Sequence, residues 1–159
     1  KSGNKEDIFI SRRAFMINWE DTQMAVVEEL LREEADGTIS FGNHTLADKA
    51  KVEDFPHDGD LYKVKTFQTM TKLEKNGMFL YESVPGTSVT HFDEKEDGVS
   101  FIVDGDNDAQ LTIGLAENTE YQVWIGDENI GTLKSNLSGK MNISVELADA
   151  SELKVQIKK

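Results

Sequence analysis

The sequence predicts an all-β protein, an antiparallel sandwich of the Ig-like or jelly-roll type carrying one short helix near its N-terminus. Two observations predict it. Turn-forming pairs recur at short intervals: Asp36-Gly37, Asp58-Gly59, Asn76-Gly77, Pro85-Gly86, Asp97-Gly98, Asp104-Gly105, Gly126-Asp127 and Ser138-Gly139. The stretches between them are short and rich in β-branched and aromatic residues, the pattern of hairpin-linked strands. A chain of 159 residues with no cysteine is long enough to bury roughly 70% of its unfolded surface without disulfides or metal, so one domain is expected.

Taken in order, residues 1–23 stand apart. Ile8, Phe9, Ile10, Phe15, Met16, Ile17 and Trp19 crowd around Arg12-Arg13, and such an apolar arm must pack on something, its own sandwich or a second copy of the chain. An exchanged arm makes the chain a homo-oligomer through its N-terminal segment. From Asp21 to Glu34, Met24, Val26, Val27, Leu30 and Leu31 recur at helical spacing behind an Asp21/Thr22 cap, which predicts the helix. The competing reading turns Leu30–Glu34 into a strand that doubles back through Ala35-Asp36-Gly37. Eleven strands follow: Thr38–Phe41, Leu61–Phe67, Thr71–Lys75, Met78–Glu82, Ser88–Phe92, Val99–Val103, Gln110–Leu115, Glu120–Ile125, Ile130–Lys134, Met141–Leu147 and Leu153–Ile157. Residues 24–159 form the single sandwich domain.

The register of one hairpin is legible. Asn76-Gly77 suits a type I′ turn, whose two central residues need positive φ. Lys75 then faces Met78, Glu74 faces Phe79, Leu73 faces Leu80 and Lys72 faces Tyr81. This places Phe79 and Tyr81 on a face shared with charged side chains. Trp124 likewise falls opposite the Tyr121, Val123 and Ile125 face of its strand. Phe79, Tyr81 and Trp124 are therefore the candidate ligand-binding residues, as rings that stack on a sugar or a partner surface, unless a second layer covers them.

Charge narrows the partners. Thirty acidic against 17 basic residues give a net charge of −13, which opposes binding to phosphate backbones, so nucleic acid and anionic membrane surfaces are not expected partners. No apolar run approaches the ~20 residues of a membrane span. The compartment is left open, the cytoplasm being the default expectation.

Motifs for chemistry are incomplete. Asp104-Gly105-Asp106-Asn107-Asp108 has the alternating acids of a calcium loop, but Ala109 and Leu115 occupy the positions that need glycine and glutamate. His44, His57 and His91 are scattered singly, and no metal site is expected. Gly86-Thr87-Ser88-Val89-Thr90 starts like a nucleophile elbow and lacks its second glycine. Ser138-Gly139-Lys140-Met141 resembles the tail of a phosphate loop without its hydroxyl residue. No catalytic residue and no cofactor is expected.

Two resemblances add to this. Leu115-Ala116-Glu117-Asn118-Thr119-Glu120-Tyr121-Gln122-Val123 resembles the strand corner of fibronectin type III and immunoglobulin-like modules, which implies an Ig-like portion over residues 85–159 with the Tyr121 hydroxyl anchoring the corner. The runs Glu34–Gly42, Gly59–Thr66, Leu80–Thr87 and Ser135–Lys140 are similar to short bacterial proteins labelled endosialidase-like. That label implies sialic-acid polymers, whose carboxylates are held by clusters of arginine. Here the arginines are Arg12, Arg13 and Arg32, with none in the 127 residues that follow. The expectation is a non-enzymatic binding or self-assembly module, with a carbohydrate-binding module and a glycan hydrolase as the other two readings.

Overall fold

The computed structural model describes residues 26–148 and 152–159. Thirteen strands lie in two antiparallel sheets. One sheet has seven strands in the order β1 (Leu31–Glu33), β2 (Ile39–Phe41), β7 (Ser88–Lys95), β8 (Gly98–Asp104), β13 (Leu153–Lys158), β10 (Glu120–Ile125) and β11 (Glu128–Lys134). The other has six, in the order β12 (Lys140–Val145), β9 (Ala109–Gly114), β6 (Met78–Val84), β5 (Thr71–Lys75), β4 (Asp60–Thr66) and β3 (Ala50–His57). The two sheets face each other as a β-sandwich, and their inner residues form one continuous core.

Each of the eleven expected strands is present with ends shifted by a few residues. Two more appear. β3 reads poorly as a strand because Lys51, Glu53, Asp54 and Pro56 break its alternation; it is an edge strand with a bulge between Val52 and Phe55, where Asp54 takes a φ of 56°. β1 replaces the end of the expected helix. No helix occurs among the described residues: Leu31–Glu33 pairs with Ile39–Phe41 through a turn at Asp36-Gly37, as in the competing reading. Pairing with β2 buries Leu31 and holds Val27, whose N–H donates to the Gly42 carbonyl at 3.0 Å, whereas a helix would leave the β2 edge open. The first part of the expected helix, Asp21–Ala25, and the whole apolar segment 1–23 lie outside the described residues.

The core is aromatic at its centre. Tyr81 on β6 meets Phe41, Phe92 and Phe101 of the opposite sheet edge-on, with ring centroids 5.3, 6.4 and 5.6 Å away. Such pairs add about 0.5–1.5 kcal/mol each beyond the area they bury. The opposite sheet is thus the second layer that covers Tyr81, and the ring is lost as a candidate ligand-binding residue. The β5–β6 hairpin starts in the expected register, Lys75 with Met78 and Glu74 with Phe79 around Asn76 and Gly77 at φ 52° and 79°. A bulge then makes Leu73 pair with Tyr81 rather than Leu80, so Leu80 and Tyr81 are both buried. The ring gains the core, and its hydroxyl is satisfied there by Thr87 Oγ1 at 2.7 Å, which also meets Ser83 Oγ at 2.7 Å. Burial pushes the Tyr81 phenol well above its ordinary pKa.

At the β9–β10 corner the Tyr121 hydroxyl accepts the Ala116 N–H at 3.2 Å, and Ser135 donates to the Ala116 carbonyl at 2.5 Å while accepting the Thr119 N–H at 3.0 Å. The C-terminal β13 inserts between β8 and β10. That insertion brings three distant parts of the chain onto one surface.

Candidate binding surface

Phe79, Tyr81 and Trp124 do not share a site. Tyr81 is fully buried. Phe79 is half-buried in the wall of a cleft of about 620 Å³ at one end of the sandwich, over a floor of Leu80, Phe92, Val99 and Tyr121. The Lys140 ammonium sits 4.6 Å from the centre of its ring, so a cation already takes one face. At the mouth, Lys75 and Glu94 are paired at 2.7 Å, which holds the Lys75 ammonium above its ordinary pKa chiefly through that hydrogen bond.

Trp124 lines a neighbouring cleft of about 330 Å³, with Lys95, Gly98 and Val99 common to both. Along β10, Tyr121 and Val123 point into the core, so Trp124 faces outward and is half-buried. Its cross-strand partner on β13 is Gln156, whose partner on β8 is Ser100; on the other side Trp124 faces Asn129 of β11. Ser100, Gln156, Trp124 and Asn129 thus form one row across four strands, about 14 Å long at the usual strand spacing. Gln122, one register step away, donates to Thr132 Oγ1 at 2.6 Å and accepts from Asn129 at 3.4 Å. Lys158 and Asp97, 4.0 Å apart, close the cleft beside the indole.

Sequence reading singled out Trp124 but not Ser100, Asn129 or Gln156. The alternation of β8 and β13 placed Ser100 and Gln156 off the buried face, but only the pairing of residues 98–104, 120–125 and 153–158 sets them beside the indole.

The polar clusters elsewhere are tied up internally. Ser88 Oγ meets His44 Nδ1 at 2.7 Å and the His44 backbone N–H at 3.3 Å, with Asp106 3.6 Å from His44 Nε2. Ser88 is 1% exposed, and the array fastens the loop after β2 to β7. Burial lowers the His44 pKa, against the pull of Asp106. In the acidic loop, Asp104 accepts the Gly105 N–H at 2.9 Å and Asp108 accepts the Leu147 and Ala148 N–H groups at 3.0 and 3.1 Å. The acids do not converge, and among the described residues no group of three or more His, Cys, Asp or Glu side chains is placed to hold a metal ion. Arg32, the one arginine among the described residues, is engaged by Glu34 at 2.9 Å and Glu29 at 3.5 Å.

No family model matches the chain, and no curated protein and no solved structure matches it.

Proposed function

We propose that this chain is a non-enzymatic β-sandwich binding module whose ligand is a carbohydrate chain laid across Trp124. The observation that carries the reading is the outward row Ser100, Gln156, Trp124 and Asn129. A sugar ring has an apolar C–H face and a rim of hydroxyls that both donate and accept. An indole takes the face, while amides and a hydroxyl, which also donate and accept, take the rim. A non-enzymatic role draws support from Arg32 being held by its own carboxylates, since a sialidase-like clamp needs free guanidinium groups.

Affinity electrophoresis of the full chain through gels containing neutral and acidic polysaccharides tests this. Retardation by at least one polysaccharide is expected, and Trp124→Ala abolishes it with unchanged circular dichroism, while Phe79→Ala leaves it intact. Migration of the wild type unaffected by every polysaccharide, or equal retardation of Trp124→Ala, refutes the reading.

A further inference from the structure

Among the described residues the sandwich has four outer strands, and their edges are not alike. β1 has three residues, and β3 carries a bulge, Pro56 and alternate charges. β11 pairs through a bulge and contains Gly131 at a φ of 110°. These are the features by which proteins blunt an edge against further pairing. β12 has no bulge, proline or glycine and a single charge, Lys140 at its first position: Lys140–Val145 runs in regular register along β9, buries Met141, Ile143 and Val145, and exposes Lys140, Asn142 and Ser144. Among the described residues no strand pairs with its outer side.

The opposite layer points to the same place. β3 lies under β1, where His57 Nδ1 meets Glu33 at 2.7 Å, and β6 lies under β2, β7 and β8 through the Tyr81 ring. Counted from that side, six strands end at β12 while seven continue to β11. Leu133 on β11 pairs with the buried Tyr121 and so faces inward, yet Leu133 is only half-buried, as is Ile125 on the same face of β10. One strand position beside β12, beneath β11, is open among the described residues.

We propose that residues 15–20 of a second copy of this chain fill that position as an added antiparallel strand. Phe15, Ile17 and Trp19 alternate with Met16, Asn18 and Glu20, the inside-outside period of β12 itself, with its buried Met141, Ile143 and Val145. Setting Phe15, Ile17 and Trp19 opposite Val145, Ile143 and Met141 puts Asn18 opposite Asn142 and Glu20 opposite Lys140. The parallel alternative sets Glu20 against Glu146, a like-charge pair. Length selects the second copy. From Glu20 to Val26 the chain spans at most about 20 Å, and Val27 is fixed to Gly42 at the end of β2. From β2 to the far edge the sheet extends five strand spacings, about 24 Å, before a further ~10 Å to the other layer.

Because the 159-residue sequence has no cysteine, a Met16→Cys, Ser144→Cys double variant reports this register directly. The expected result is a dimer in sedimentation equilibrium for the wild type, and a disulfide-linked dimer on oxidation of the double variant. A Met16→Cys, Lys51→Cys control, with its second thiol on the β3 edge, cross-links at least fivefold less. Lys140→Glu weakens the wild-type dimer several-fold, and adding Glu20→Lys restores it. A monomeric wild type, cross-linking equal to the control, or an intramolecular disulfide in the double variant overturns the proposal.

Discussion

Asp104 offers the most exacting check on the electrostatics of this fold. Its carboxyl sits at the end of β8 and is pushed from an ordinary value of 3.8 up to about 6, first by burial and further by Glu152 and Asp106, against the Gly105 N–H that favours the charged form. A raised acid pKa means the folded state holds its proton longer than the unfolded chain. Stability from this group is therefore complete below pH 3.8 and is lost as pH rises through about 6. At ~1.4 kcal/mol per pH unit the whole shift corresponds to about 3 kcal/mol, and partial solvation of the half-buried group reduces this to about 1 kcal/mol. Asp104→Asn keeps an acceptor for Gly105 and removes the charge. Urea unfolding of wild type and variant at intervals from pH 4 to pH 7.5 measures the effect. The variant gains about 1 kcal/mol on the wild type between the two ends, a midpoint displacement of about 0.5 M. A stability difference that stays constant across that range refutes the assignment of a raised pKa to Asp104.

Two further substitutions test packing and backbone. Tyr81→Phe keeps the ring cluster and deletes the hydroxyl bonded to Thr87, at a cost of about 1–2 kcal/mol, whereas Tyr81→Ala empties the centre of the core at about 3–5 kcal/mol; both are read from urea midpoints. Gly77→Ala and Gly114→Ala separate conformation from space by thermal unfolding. At Gly77 a methyl group meets nothing within 4 Å but φ is 79°, so the loss is about 1 kcal/mol. At Gly114 a Cβ lands 2.4 Å from the Phe79 carbonyl on the adjacent strand, and the loss exceeds that of Gly77→Ala several-fold.

Local signals determined eleven of the thirteen strands. A turn such as Asn76-Gly77 needs only its own two residues to adopt positive φ, and the alternation of Lys140–Val145 needs only one wet side and one dry side, so both are written in consecutive residues. Tertiary structure decided whatever depends on partners far along the chain. The bulge that carries Tyr81 inward follows from the rings of Phe41, Phe92 and Phe101 waiting in the opposite sheet, and β1 forms because β2 offers an edge to Leu31–Glu33, which outweighs the helical spacing of their apolar side chains. The candidate surface is wholly of this kind. Trp124 acquires Ser100 and Gln156 as neighbours only when the last strand slides between β8 and β10, a pairing set by burial of Val155 and Ile157 between residues that lie more than twenty positions away in sequence.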